Sequence, residues 1–342
     1  RTGQYGAMLA GVSTCRSRAW RNGVEVAADF PLADLDHWLA EPNMLVWLDL
    51  VQPEPDVLAS LAGELGLDPL AVEDAVSPRE RPKASWHPNH LFLTCYSTQL
   101  EPPADGGVAE LEVGRVSAFV LGNALITVRP GERVDMDAVL ARWVDDGLLD
   151  RGVAALVHGL LDHLVDGHFE TIETMDDQLE DLEDLLFDPA IKTRTIQQRV
   201  FALRKALVEL RRVVLPMREV VTSVMRFRSD GRQSLSGELD GHFNDLYDHV
   251  IRAAEWTESL RDMVSSVFET NLSLQDARLN EVMKKLAAWA AIIAVPTAVT
   301  GWFGQNLPYP GFGAVSGLLQ SVVLMLIGTV GLYILFRKVD WL

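Results

Sequence analysis

Acidic side chains in the first part of the chain are one set of candidates for chemistry. Glu73 and Asp74 lie side by side in the sequence AVEDAV, Asp162 opens a long acidic stretch, and Asp245 opens a later helical segment. Oxygen-only ligands of this kind suit a hard divalent cation. Each carboxylate taken alone is more simply a solvated surface charge, because Asp and Glu are seldom buried without a partner.

Side-chain amides near the C-terminus are the second set of candidates. Gln305 and Asn306 follow Gly304 at the end of an apolar run without charged residues. An Asn at that point can cap a helix. Before it, residues at spacings of three or four share one face of the expected helix: Asn280, Met283, Leu286, Ala290, Ala294, Thr297 and Gly301. From the pattern alone, the small residues in this stripe indicate close helix packing.

Two apolar runs, residues 286–303 and 314–336, must position these amides, and the loop 304–313 joins them. At a rise of 1.5 Å per residue the first run covers about 27 Å, close to the thickness of a bilayer's hydrocarbon core. We therefore expect a two-helix hairpin that crosses the plasma membrane twice. Lys and Arg residues flank the hairpin and the loop has no charge, so both termini are expected in the cytoplasm.

Composition and motifs exclude several classes of function. The net charge of −18 comes from 48 acidic and 30 basic residues, whereas a nucleic-acid-binding protein needs a basic face. The two cysteines form no CxxC spacing, so neither a disulfide framework nor a zinc knuckle is supported. The sequence contains no phosphate-binding glycine loop, nucleophile elbow or triad order. We therefore expect neither an enzyme nor an organic cofactor.

The chain before the apolar runs divides into four segments. Residues 1–30 show little pattern and are expected to be flexible. Residues 31–134 alternate strand-like and helix-like runs, with a hairpin signal at Gly122-Asn123, and predict an α/β domain. Residues 135–241 are helical, and an acidic stretch followed by a basic one predicts an antiparallel helix pair. Residues 242–285 form a stalk helix that continues into the first apolar run, and residues 337–342 follow the second as a basic tail.

Several stretches together resemble the CorA family of divalent-cation channels. They are LGLDPLAVEDAVSPRERPK, HLFLTCYS, LVELRRVVLPMREVV, DLYDHVIRAAEWTESLRDMV, NEVMKKL, VPTAVTGWFGQN and RKVDWL. The resemblance covers nearly all of the chain after about residue 30. It implies an α+β cytoplasmic domain, a long helical stalk and a two-helix transmembrane hairpin, assembled as a homo-oligomer of five subunits.

The same resemblance implies roles in conduction for the C-terminal candidates. Gly304, Gln305 and Asn306 become a selectivity filter, in which the Asn306 amide binds the water shell of the ion. Mg²⁺ gives up water reluctantly and suits such indirect binding. The helical stripe that begins at Asn280 becomes the pore lining, with Met283 and Leu286 as a hydrophobic constriction that gates by dewetting.

The resemblance also implies a regulatory cation site between subunits. Asp74 of one subunit approaches Asp245 of the next, with Glu73 and Asp162 nearby. The expected function is therefore a channel for Mg²⁺, together with Co²⁺ or Ni²⁺, that is controlled by Mg²⁺ inside the cell. Mg²⁺ is thus both the transported and the regulatory ion, and the expected partners are divalent cations, membrane lipid and further copies of the chain.

Two departures from the family pattern keep other functions open. Gln305 stands where the main branch has Met in a Gly-Met-Asn triplet, and the acidic loop that commonly follows is replaced by Leu307-Pro308-Tyr309-Pro310-Gly311. A zinc-transporting branch of the same superfamily also varies the middle residue of the triplet. A protein of another class, a cytoplasmic binding protein that the hairpin only anchors to the membrane, is the third alternative.

Overall fold

The computed structural model describes residues 14–78, 80–101, 109–186, 193–229, 239–305 and 308–342. Contacts between Cα atoms divide the chain into two units, Arg1–Ser265 and Ser266–Leu342, and each is described by itself. Over the described residues, the first unit is a mixed sheet covered by helices on both faces, and the second is built from two apolar helices. The expected fold class is confirmed.

The sheet has seven strands in the order β2-β1-β3-β7-β6-β5-β4. The pair β3–β7 is parallel, and the other neighbouring pairs are antiparallel. The strands are β1 (Thr14–Arg21), β2 (Val24–Ala28), β3 (Met44–Val51), β4 (Lys83–Trp86), β5 (Leu91–Glu101), β6 (Glu110–Val120) and β7 (Ala124–Arg129).

Eight α-helices are found in the described ranges. They are α1 (Leu35–Ala40), α2 (Pro55–Leu65), α3 (Pro69–Val76), α4 (Met136–Asp145), α5 (Val153–Leu186), α6 (Thr193–Ser229), α7 (Asp240–Phe303) and α8 (Val315–Lys338). Short 3₁₀ turns at Leu32–Asp34 and Leu149–Arg151 precede α1 and α5. Asp68 and Asp135 cap α3 and α4 by accepting hydrogen bonds from backbone N–H groups of the first turn.

Helices cover the two faces of the sheet with separate cores. Leu48 and Leu50 of β3 pack with α1, α2 and α3, whereas Leu45 and Trp47 of the same strand pack with α4, α5, α6 and the start of α7. Alternate residues of a strand point to opposite faces, so a strand covered on both sides is apolar throughout. This explains why MLVWLDL, which is apolar except for Asp49, forms a strand at the centre of the sheet.

A buried ion pair joins the parallel strands at the centre of the sheet. Arg129 of β7 donates to both oxygens of Asp49 on β3, at 3.0 Å to Oδ1 and 2.5 Å to Oδ2, and both side chains are almost completely buried. Thr127 donates a further hydrogen bond to Asp49 and accepts one from Trp47. A buried charge is tolerated when its hydrogen bonds are satisfied in this way.

Two expected segment boundaries differ from the structure. The expectation that residues 1–30 are flexible is wrong for residues 14–28, which form β1 and β2 at one side of the sheet. Their turn is Asn22-Gly23, with both residues at positive φ, and Asn-Gly is the preferred sequence for such a hairpin. Residues 135–241 are not a separate region either, because α4, α5 and α6 share one hydrophobic core with the sheet.

Close packing of glycines joins the helices of the second unit. A side chain on Gly328 of α8 would lie 2.7 Å from a methyl group of Val295 on α7, so this contact requires glycine. A side chain on Gly317, in the first turn of α8, would collide with the backbone of Gly311 in the preceding loop. Small residues let apolar helices approach closely, as the contact between Gly328 and Val295 shows.

Candidate functional site

The expected pore stripe lies on the face of α7 that α8 leaves uncovered. Met283 is 56% exposed and Leu286 is 63% exposed. The other stripe residues, Asn280, Ala290, Ala294, Thr297 and Gly301, are also exposed. At 100° per residue this stripe lies roughly 150° around the helix from the face that packs on α8.

Buried residues identify that packing face. Ala288, Ile292 and Val299 are buried, and Val295 between them contacts Gly328 of α8. Close packing within the hairpin therefore uses these residues and not the stripe. Packing within the hairpin therefore does not explain the small side chains of the stripe. Contact with another molecule, or an open path along the surface of the helix, would explain them.

The apolar end of α7 has its hydroxyl groups satisfied within the helix. Thr297 Oγ1 donates to the Ile293 carbonyl at 3.0 Å, and Thr300 Oγ1 donates to the Pro296 carbonyl at 2.8 Å. Such bonds allow a hydroxyl to lie in an apolar environment without an unpaired donor. Among the described residues, α7 and α8 are the two helices that are long and apolar enough to cross a membrane. Their apolar parts coincide with the expected spans 286–303 and 314–336.

The Gly304 turn ends α7. The Gly304 N–H donates to the Thr300 carbonyl at 2.9 Å, and the Gln305 N–H donates to the Trp302 carbonyl at 3.3 Å. A Cβ atom on Gly304 would lie 2.9 Å from the same Thr300 carbonyl oxygen, so only glycine fits this turn without a shift. Asn306, the expected ligand of the hydrated ion, lies outside the described residues.

Aromatic rings hold the loop that follows the turn. Tyr309 packs edge-on against Phe303 at the end of α7, with ring centroids 5.0 Å apart, and against Phe312 at 5.3 Å. Its hydroxyl donates to the Phe303 carbonyl at 3.4 Å. Tyr309, from the segment that replaces the acidic loop, thus forms an aromatic cluster with Phe303 before the Gly-Gln-Asn triplet and Phe312 after it.

Asp162 lies in a cluster of ligand-type side chains in the first unit. One donor atom each from Asp162, Asp166 and His249 lie within 4.8 Å of one another. Asp245, one turn before His249 on α7, has a carboxylate oxygen 3.8 Å from His249 Nε2. The structure thus brings Asp162 and Asp245, two of the four expected regulatory carboxylates, to the two sides of one histidine.

Arg142 already holds both α5 carboxylates of this cluster. Its guanidinium donates to Asp162 at 2.8 Å and to Asp166 at 2.5 Å. Burial raises the pKa of Asp162, although Arg142 and His158 favour the ionised form. Burial lowers the pKa of His158 and of His163, and the positive charge of Arg142 lowers that of His163 further. The guanidinium of Arg142 thus supplies a positive charge to this cluster.

Asp74 is held by a basic side chain as well. Lys83 Nζ donates to Asp74 Oδ2 at 2.6 Å and to Glu80 Oε2 at 2.7 Å, and all three side chains are more than two thirds buried. Glu73, the preceding residue of α3, is exposed. The geometry of a single chain leaves the expected approach of Asp74 to Asp245 of a neighbouring subunit as a prediction.

Sequence reasoning missed the partners of these carboxylates. Lys83 lies nine residues after Asp74, and Arg142 lies 20 residues before Asp162, so neither pair has the spacing of neighbours on one helix. His249 was not expected either, although its spacing of four from Asp245 on α7 is the signal that could have found it.

Comparison with known proteins places this architecture in a family. The family model described as CorA-like Mg²⁺ transporter protein matches residues 42–338. The chain is 28% identical over 327 residues to the cobalt/magnesium transport protein CorA of Thermotoga maritima, an alignment that covers 93% of this chain and 90% of that one.

Solved structures show the same fold. The complete structure of the CorA magnesium transporter from Methanocaldococcus jannaschii matches 96% of this chain and 98% of its own, with a TM-score of 0.76 at 20% identity. The cytoplasmic domain of ZntB from Vibrio parahaemolyticus matches 78% of this chain with a TM-score of 0.57 at 13% identity. Because the family model spans most of the sequence, the chain belongs to the CorA-like Mg²⁺ transporter family.

Proposed function

We propose that this chain is the subunit of a membrane channel for divalent cations, with Mg²⁺ as the main ion and Co²⁺ or Ni²⁺ as further substrates. The observation that carries the proposal is the uncovered stripe on α7, which leads directly to the Gly304 turn. Two spans cannot enclose a pore, so several copies must place their stripes around a common axis. The T. maritima relative is named a cobalt/magnesium transport protein, which supports the choice of ions.

The arrangement in the membrane follows the expectations from the sequence. The proposed assembly is a pentamer in the plasma membrane with both termini in the cytoplasm, and the Gly304-Gln305-Asn306 triplet lies at the outer mouth. Asn306 binds the water shell of the ion, while Met283 and Leu286 form the hydrophobic constriction. Bulky apolar side chains on α8, such as Leu318, Leu326 and Ile327, are exposed in the single chain and suit contact with lipid.

Cation flux into liposomes that contain the purified protein tests this proposal. Mg²⁺ entry, with weaker entry of Co²⁺ or Ni²⁺, is expected under a concentration gradient across the membrane. Preference for Zn²⁺ over Mg²⁺ would support the zinc-transporting alternative, whose cytoplasmic fold is similar. If the protein is folded but transports none of these four ions, the alternative of a membrane-anchored binding protein is favoured.

Regulation is proposed to act through a Mg²⁺ site between subunits, formed by Asp74 and Asp245 with Glu73 and Asp162 nearby. Carboxylates that converge from two subunits repel each other, and a bound cation removes the repulsion. A bound ion thus favours the closed assembly only as far as it binds the closed assembly more tightly than the open one. Asp245 is 73% exposed in the single chain, so it is accessible to a neighbour.

The variant Asp245→Asn should need a higher internal Mg²⁺ concentration for half-maximal inhibition, by about tenfold if one of the charged ligands is lost. Ion preference should not change, because the triplet that selects the ion is intact. Flux from liposomes loaded with graded Mg²⁺ measures both quantities. Asp248→Asn removes an exposed carboxylate from the same helix and is the matched control. Inhibition of Asp245→Asn at the wild-type concentration would remove Asp245 from the sensor.

A further inference from the structure

The carboxylate of Asp74 is shared with a lysine of its own subunit. Lys83 opens the edge strand β4, and its ammonium group lies between Asp74 and Glu80 at 2.6 Å and 2.7 Å. The exposed fractions of the three side chains are between 23% and 29%. Water therefore screens these ion pairs less than it screens a pair on the open surface.

The surroundings hold this arrangement in place. The Tyr96 hydroxyl of β5 donates a hydrogen bond to the Glu80 backbone carbonyl. Arg115 of β6 is 7% exposed and donates from Nη2 to the carbonyl of Ala75, the residue after Asp74, at 3.1 Å. Its Nε and Nη1 atoms are buried and have no hydrogen-bond partner among the described residues.

Two positive charges therefore lie beside the last turn of α3. Lys83 Nζ lies against Asp74, and Arg115 Nη2 lies against the backbone carbonyl of the next residue, Ala75. The Lys83 ammonium donates to both Asp74 and Glu80, so one positive charge is divided between two carboxylates. A divalent cation that approaches Asp74 meets a carboxylate whose negative charge is already partly offset.

We infer that Lys83 is a built-in competitor for the divalent cation at Asp74, so that the ammonium must leave the carboxylate before the cation binds. This inference rests on the proposed regulatory site and specifies what determines the apparent affinity of that site for the cation. The cation and the ammonium cannot share Asp74 Oδ2, because like charges in contact repel strongly in a partly buried site. The apparent affinity for the cation is reduced by the fraction of time that Lys83 occupies the carboxylate.

The competition sets the concentration at which the sensor responds. Without it, the Asp74 carboxylate would be free at all times, and the site would fill at a lower cation concentration. With it, the site stays empty until the cation is abundant, and in the meantime Lys83 offsets part of the negative charge of Asp74 and Glu80. The subunit surface near Asp74 is thus stable without a bound metal ion.

The test uses the full-length protein in detergent and titrates MgCl₂ against protection from a protease. Lys83→Gln removes the positive charge but keeps a hydrogen-bond donor, so half-maximal protection should occur at a Mg²⁺ concentration lower by about three- to tenfold. Lys83→Arg keeps the charge and should respond like wild type. Lys205→Gln removes one positive charge from α6 and should also respond like wild type. Asp74→Asn should lose most of the protection.

Each outcome decides a different question. An unchanged or higher midpoint for Lys83→Gln, with protection lost in Asp74→Asn, would overturn the competition and leave the regulatory site in place. Unchanged protection in Asp74→Asn would overturn both, because Asp74 would then bind no cation. Thermal unfolding in metal-free buffer checks that each variant is folded. If Lys83→Gln unfolds, Lys83→Met takes its place, since it keeps the apolar stem.

Discussion

Replacing Asn306 with alanine is expected to reduce Mg²⁺ flux by at least about tenfold while the protein still assembles. Each subunit would lose one amide oxygen that contacts the hydrated ion. A hydrogen bond to a charged group is worth about 1.5–3 kcal/mol, and 1.4 kcal/mol corresponds to a factor of ten. Assembly should persist because the packing between Val295 and Gly328 does not involve residue 306.

Flux assays with several ions and size-exclusion chromatography measure these two effects. Gln320→Ala removes a side-chain amide from α8 instead, and its flux should remain near the wild-type value. Ion preference also matters, because any residual flux through Asn306→Ala should discriminate less among Mg²⁺, Co²⁺ and Ni²⁺. Wild-type flux and wild-type preference in this variant would place the selectivity filter elsewhere in the chain.

Serine at position 283 or 286 is expected to raise the basal flux of the closed channel several-fold. A ring of apolar side chains excludes water from a narrow pore, and a ring of hydroxyl groups lets water and ions remain in it. Met283 and Leu286 are both more than half exposed in the single chain, so their replacement leaves no cavity within the subunit. Flux measured with saturating internal Mg²⁺, which favours the closed state, isolates this effect.

Leu326→Ser on α8 is the matched control for this prediction. Leu326 is also exposed in the single chain, but it belongs to the surface that is proposed to face lipid. Its replacement should change the stability of the protein in the membrane more than it changes the basal flux. Equal leak in Leu326→Ser and Leu286→Ser would mean that the serine disturbs the hairpin in general, and the gate would have to be sought at another position of α7.

The central strands and the apolar hairpin were predictable because each depends on local pattern. The run of β3, apolar except for Asp49, and the Gly122-Asn123 turn between β6 and β7 predicted the strands that the structure shows. The apolar runs predicted the ends of α7 and α8 to within two residues. Uncharged segments of this length have few alternatives, since an exposed apolar helix needs lipid or another protein surface.

The hairpin β1–β2 was predictable but was missed. Its strands carry three arginines and one glutamate, so they lack the apolar pattern of the central strands, and β2 is largely exposed. The signal was in the turn, where Asn22-Gly23 adopts the left-handed conformation that these two residues tolerate best.

The electrostatics of the candidate sites could not be read from the sequence. Along the sequence, the basic stretch that follows is the nearest source of positive charge for the acidic stretch that Asp162 opens. The structure shows instead that Asp162 and Asp166 are held by Arg142 of α4, and that Arg211 of α6 pairs with Glu258 of α7. Such pairs depend on the way helices pack, which charge patterns along one chain do not determine.

The parallel pairing of β3 and β7 has a consequence for synthesis. Asp49 and Arg129 lie 80 residues apart, and protein chains leave the ribosome with the N-terminal part first. An eight-residue strand that is completely buried in the finished sheet therefore emerges long before the neighbour that covers one of its edges. Such distant pairing slows folding, and an open apolar edge invites pairing with other chains. The rate of translation thus determines how long this edge of β3 stays unpaired before β7 emerges.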